Sequence, residues 1–237
     1  QRRAQHGGGV VDLALHDAGA RGGLPVHAFQ TVAPAILPDA GQARRVFEDA
    51  RAYAHLADRP ASALSGGGLD VFLAAARVGP TGKAIGVDMT PEMLERARAN
   101  AEKGCYPQVE FRRGDIEKLP VPSGTADVVV SNCVINLAPD KKAVFREIYQ
   151  VLRPGGRFAI SDVVLRSERP LLQKALKKLR VASCVASAWG EERYLGALRE
   201  AGFQDVRVVA ERRAMDQPAL DFITAHGITV VGTKPGQ

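Results

Sequence analysis

GGGLDVFLAAARVGPTGKAIGVDMTPEMLERARANAEKG, residues 66–104, carries the decision about the fold. It opens on three glycines that run straight into an apolar helical stretch closed by Gly79-Pro80. KAIGVDM, 83–89, follows as a short buried strand ending in Asp88. Thr90-Pro91-Glu92 then starts a second helix: Thr is a good N-cap, Pro suits the first helical position, and an acid complements the helix dipole. Gly104 is the expected C-cap. A glycine turn, helix, strand and helix in this order is one turn of an α/β fold.

The pattern continues downstream. QVEFRRGD (108–115) and ADVVVSN (126–132) read as the next two extended elements. From Asp140 to Leu152, Val144, Ile148, Val151 and Leu152 fall at helical spacing, and Pro154-Gly155-Gly156 stops the helix. RFAISDVV (157–164) is another strand, a helix over about 190–201 ends at Gly202, and VRVVAE (206–211) and ITVVGT (228–233) close the chain. Strands alternating with helices of this length predict a mostly parallel sheet covered on both faces. Residues 1–65 read differently. They are rich in Ala, Gly, Arg and Pro, broken by Gly7-Gly8-Gly9 and Gly22-Gly23, with one helix expected over 41–57 and no strand before Ser65. The division expected is therefore a divergent, partly disordered segment, 1–60, and an α/β domain, 61–237.

Bulk properties narrow the class. The chain has 237 residues, 46% hydrophobic, enough for one substantial core. Aromatics make up only 5%, so Val, Ile, Leu and Ala must fill it. No apolar run reaches bilayer length and no secretion signal is read at the start, so neither membrane insertion nor export is expected. Cys105, Cys133 and Cys184 are too few for a disulfide framework, which points to reduced thiols and a cytoplasmic location. The net charge is +6 and the pI near 9.4, yet the densest basic cluster (Lys174, Lys177, Lys178, Arg180) sits at helical spacing without aromatics for base stacking. It reads as a solvated helix face, and no nucleic-acid partner is expected.

In open α/β sheets, ligands bind beyond the carboxyl ends of the strands. Four features fall there. Gly66, Gly67 and Gly68 let backbone approach a ligand and expose helix N–H donors. Asp88, about 20 residues on, is placed to take ribose hydroxyls. Asp115 and Ile116 follow the third element, where they serve either an adenine or simply a turn. Asn132 ends the VVVSN run and Cys133 follows it. For Cys133 taken alone, core packing is the commoner use of a free cysteine.

Taken together, the glycine loop, GVD, GDIEKLP, DVVVSN and VLRPGG resemble the class I S-adenosylmethionine-dependent methyltransferases. That resemblance implies a Rossmann-like, seven-stranded, mostly parallel sheet with an antiparallel terminal strand and helices on both faces. Within that superfamily, residues 66–104, GDIEKLPV (114–121), SNCVINLAPDKKAVFREIYQVLRPGGRFAISDVV (131–164) and ASCVASA (182–188) look very like an arsenite methyltransferase. The resemblance implies S-adenosylmethionine as methyl donor. Gly66, Gly67 and Gly68 would face its amino-acid and ribose parts, Asp88 the ribose hydroxyls, Met89 the adenine, and Asp115 and Ile116 would bracket that ring, with Asn132 on the same edge. Cys133 and Cys184, 184 − 133 = 51 residues apart, would bind As(III). Soft, thiophilic arsenic suits thiolate ligands, and its lone pair can attack the methyl group without a general base. The partners implied are arsenite, free or thiol-conjugated, and a small-molecule thiol reductant. Cys105 has no place in the pattern. Two other uses of these residues are a methyltransferase for a small organic acceptor and a non-catalytic As(III)-binding thiol protein. The chain departs from the family in RPASALSGGG (59–68), with Ser62 where an acid belongs and Leu64 where the first glycine belongs.

Overall fold

The computed structural model describes residues 68–78, 82–168, 173–174, 183–213 and 225–236, with the backbone of Val32–Ile36. Strands β1 (Val32–Ile36), β2 (Lys83–Asp88), β3 (Val109–Arg113), β4 (Ala126–Asn132), β5 (Leu152–Leu165), β6 (Gln204–Arg213) and β7 (Ala225–Thr233) join in one sheet, in the order β3-β2-β1-β4-β5-β7-β6. The described helices are α1 (Leu69–Val78), α2 (Pro91–Lys103), α3 (Lys141–Val151), α4 (Ser183–Ala186) and α5 (Glu191–Glu200).

Direction decides where a site can form. β2 is parallel to β3 and β4 to β5, while β7 runs antiparallel to both β5 and β6. β1 is antiparallel to β2 and to β4, so those two neighbours run the same way. The carboxyl ends of β2, β3, β4 and β5 therefore share one edge.

The elements follow from their residues. β2 is buried at every position after Lys83, because both sheet faces are covered rather than one. Ala84 faces Val71, Ala74 and Ala75 of α1, whereas Ile85 and Val87 join the larger core. That core is built around Phe145 of α3 and Tyr194 of α5, whose rings meet edge-on at 5.1 Å, together with Phe158, Phe203 and the aliphatics of β4 and β5. Each large side chain buried there contributes about 1.5–3 kcal/mol. The helix starts act as the sequence requires. Asp140 caps α3 by accepting the Ala143 N–H at 3.1 Å, and α2 begins at Pro91. Thr90 caps α2 by position only: its own N–H goes to Asp88 Oδ1 at 2.7 Å, and its side chain makes no cap bond.

Two expectations need correction. A strand does exist before Ser65: Val32–Ile36 lies in the centre of the sheet, between β2 and β4. Pro34 sits opposite Val129 in it and can donate no ladder bond, which is why local sequence argues against a central strand there. Pro154-Gly155-Gly156 does not separate α3 from its next strand, since β5 starts at Leu152 and runs through it. The Gly155 N–H donates to the Lys234 carbonyl and the Lys234 N–H to that of Gly156, so the tail of the chain holds the turn residues extended. At the end of α2, Gly104 is the C-cap, as expected, with a right-handed φ of −86°, and the left-handed position falls on the next residue, Cys105, at 52°. The 41–57 helix, residues 59–64, and Lys177, Lys178 and Arg180 lie outside the described residues.

Candidate functional site

The carboxyl edge of the sheet collects the sequence-marked residues. Val32 pairs with Val87 on one side and Ser131 on the other, so Asp88 and Asn132 stand at the same height flanking β1. Two strand spacings separate them by roughly 10 Å.

Gly68 precedes α1 with φ +85°, and its carbonyl takes the first helical bond from the Phe72 N–H at 3.0 Å. A Cβ at Gly68 would stand 2.6 Å from Cζ of Phe111, so both backbone and packing exclude a side chain. Gly68→Ala is expected to cost about 1–3 kcal/mol in chemical denaturation. Adding Phe111→Leu should recover the steric part only; an unchanged midpoint in Gly68→Ala would refute this account. Gly66 and Gly67 lie outside the described residues.

Asp88 is buried, 4% exposed, at the end of β2. Its carbonyl accepts the Gly114 N–H at 3.0 Å, fixing the GDIE turn beside it. Met89, next along, is the exposed large hydrophobic residue among those described, at 46%. Asp115 is exposed, and its Oδ1 accepts the Glu117 N–H at 2.9 Å in its own turn. Ile116 is 1% exposed, its side chain committed to the main core.

Asn132 is half-buried, and Cys133 beyond it is exposed with φ +55°, a conformation uncommon outside glycine. The Cys133 N–H donates to the Ser161 carbonyl at 2.8 Å. A 3₁₀ turn, Ile135–Leu137, follows, and α4, whose backbone includes Cys184, packs against that turn and against β5. The structure thus brings the two cysteine segments to the same edge, while the Cys184 side chain lies outside what is described. Cys105, also exposed, sits at the amino edge of the sheet, before β3.

Sequence reasoning missed the polar cluster below Cys133. Asp162, 2% exposed on β5, accepts Asn136 Nδ2 at 2.7 Å and the Val163 N–H at 2.9 Å on Oδ1. Its Oδ2 accepts the Tyr194 hydroxyl at 3.2 Å. Lys141 Nζ donates to the Asn136 carbonyl at 3.3 Å and lies 5.3 Å from the Trp189 ring. Burial pushes the Asp162 carboxyl up to about 7 against the lowering effect of these donors and of Lys141. Burial, then the Asp162 charge and hydrogen bond, and then the Cys133 charge push the Tyr194 hydroxyl well above its ordinary value. The signal in the sequence was an acid inside AISDVV and an amide inside VINL. Beside this cluster, Glu168, Gln173, Lys174, Trp189 and Arg193 line a cleft of about 340 Å³.

Comparison with known proteins gives consistent results. The family described as "Methyltransferase domain" matches residues 64–202. The arsenite methyltransferase of Halobacterium salinarum is 50% identical over 144 residues, 61% of this chain and 37% of that protein. The human arsenite methyltransferase is 36% identical over 175 residues, 70% and 43% of the two chains. An arsenic(III) S-adenosylmethionine methyltransferase of Chlamydomonas reinhardtii superposes with a TM-score of 0.64 at 31% identity, over 73% of this chain and 62% of that one. The chain spans about two-fifths of the length of the curated relatives it matches. No described helix is long and apolar enough to cross a membrane.

Proposed function

The chain belongs to the methyltransferase-domain family, with its Rossmann-like α/β fold, and on that premise we propose that it transfers a methyl group from S-adenosylmethionine to thiolate-bound As(III). The observation that carries this reading is the exposed Cys133. It stands one residue beyond β4 at the carboxyl edge, with the helix that contains Cys184 packed on the turn that follows it.

The residues present fit the donor. Gly68, packed against Phe111, makes the left-handed turn into α1, whose N-terminal N–H groups favour a carboxylate. Asp88 ends β2 where ribose hydroxyls would meet it, exposed Met89 offers an apolar platform for a purine, and Asp115, the Ile116 backbone and Asn132 complete the rim. Gly66 and Gly67 would supply bare backbone ahead of that turn. When bound, the donor supplies a sulfonium methyl group to the arsenic lone pair: an As–C bond forms, the C–S bond breaks to a neutral thioether, and arsenic passes from As(III) to As(V). Cys133 and Cys184 hold the substrate arsenic through sulfur, the ligand type it prefers. Their work is positioning, and no proton needs to be removed by the protein. A small-molecule thiol must return arsenic to As(III) and can act as its third ligand. The working compartment is the cytoplasm, where thiols stay reduced.

Residues 61–237 form the catalytic domain in this reading and supply six strands of the family's seven-stranded, mostly parallel sheet. Residues 1–60 are a divergent addition whose Val32–Ile36 strand fills the central slot in reverse. That reversed strand favours one second reading, a thiol protein that binds As(III) without the donor. Incubating the whole chain with labelled donor, arsenite and a thiol should yield methylated arsenic. Calorimetric titration with S-adenosylmethionine separates the two readings: arsenite binding without donor binding selects the second, and donor binding without product removes the first.

A further inference from the structure

We propose that Asn136 and Asp162 are positioning residues that clamp the turn after β4 onto β5 and so hold Cys133 in its left-handed, exposed conformation. The catalytic consequence rests on the arsenite reading above; the clamp itself does not.

A cysteine at φ +55° is held against its own preference, so something must over-determine it. Three consecutive residues of β5 do so. Ser161 accepts the Cys133 N–H at 2.8 Å, Asp162 accepts Asn136 Nδ2 at 2.7 Å, and the Val163 carbonyl accepts the same amide at 2.6 Å. Both partners of the amide nitrogen are acceptors, so chemistry fixes the orientation of the amide. Asn136 is fully buried, and its turn neighbours Val134 and Ile135 are in the apolar core. From α5, the Tyr194 hydroxyl holds the other Asp162 oxygen at 3.2 Å. Filling this space with apolar side chains would be neutral or favourable for stability, so a buried amide–carboxylate pair here is a device for geometry.

Cys105 supplies an internal contrast. It is also exposed and left-handed, at φ 52°, but it is held locally by its own helix end: its N–H donates to the Glu102 carbonyl at 3.2 Å and the Tyr106 N–H to the Ala101 carbonyl at 3.1 Å. Nothing that loosens the β4–β5 clamp should alter it.

The test is alkylation of the intact chain with iodoacetamide, Cys133 and Cys105 being quantified in the same sample by peptide mass spectrometry. Asn136→Leu removes the donor at similar volume. The Cys133 rate should then fall about tenfold relative to Cys105, as the residue relaxes to ordinary φ and turns its thiol toward the apolar turn. Asp162→Asn keeps an acceptor for Asn136 and should stay within about twofold of the parent. Asn136→Ser, too short to reach both acceptors, carries the test if the leucine variant does not fold. An unchanged ratio in either folded Asn136 variant, or an equal fall in Asp162→Asn, overturns the proposal. Alkylation needs neither arsenic nor donor, so this result stands apart from the arsenite reading. Where transfer is measurable, Asn136→Leu should also raise KM for arsenite while leaving the affinity for S-adenosylmethionine unchanged.

Discussion

Cys133→Ser is expected to reduce methyl transfer to arsenite at least about 100-fold while leaving S-adenosylmethionine binding intact. Serine nearly preserves the size of the side chain but replaces a soft sulfur by a hard oxygen, a poor ligand for trivalent arsenic. The fold loses little, because Cys133 is exposed and its structural hydrogen bond is made by the backbone N–H to Ser161. Asp88, Met89 and Gly68 do not depend on the thiol, so calorimetric titration of the donor should give the parent affinity. Cys105→Ser, at the opposite edge of the sheet, is the matched control and should keep parent activity. Full activity in Cys133→Ser would remove the thiol assignment and favour a small organic acceptor at the same edge. Loss of activity in both variants would mean that cysteine content matters only through general thiol chemistry.

Much of this site was written in local sequence, and particular residues show why. Asp88 was legible because an acid after an apolar run marks a strand end, and the register places it beside the slot that Asn132 flanks from the other side. Gly68 was legible because only glycine suits the turn into α1. Cys133 was marked by position, but its left-handed backbone was not, since φ there is imposed by contacts from β5, 28 residues away at Ser161. The Asn136–Asp162–Tyr194 cluster was hidden for the same reason: it joins three elements distant in the chain. β1 is the sharpest miss. TVAPAIL (31–37) lacks period-two patterning and contains Pro34, so every local rule argues against a central strand. Only the free edges of β2 and β4 make room for it, a tertiary fact with no local signature.

Asp162→Asn is expected to flatten the fall in folding stability between about pH 4 and pH 7, with a total difference on the order of 4 kcal/mol across that window. The sign follows from burial. Desolvation raises the carboxyl to about 7 in the folded protein, ahead of the lowering contributed by Val163, Tyr194, Lys141 and Asn136, whereas in the unfolded chain it ionises near 3.9. Below about pH 4 both states carry the proton and the group is silent. Between the two values only the unfolded chain ionises, so stability falls as pH rises, at up to about 1.4 kcal/mol per pH unit. Above 7 both states are ionised and the loss is complete. Asparagine has no proton to release, yet it presents an oxygen to Asn136 and an amide to the Tyr194 hydroxyl, so the cluster keeps its shape. Glu110 cannot mimic the effect. Its hydrogen bonds to Arg112 and Lys83 lower its carboxyl to about 2, so its contribution is present above the ordinary glutamate range and is lost only as pH falls toward 2. Urea unfolding of parent and variant at pH 4.5, 6 and 8 reads the difference directly, other titrations cancelling between the two chains. Parallel pH profiles would show that Asp162 ionises in the folded state as it does in the unfolded chain, and would remove burial as the force that sets its charge.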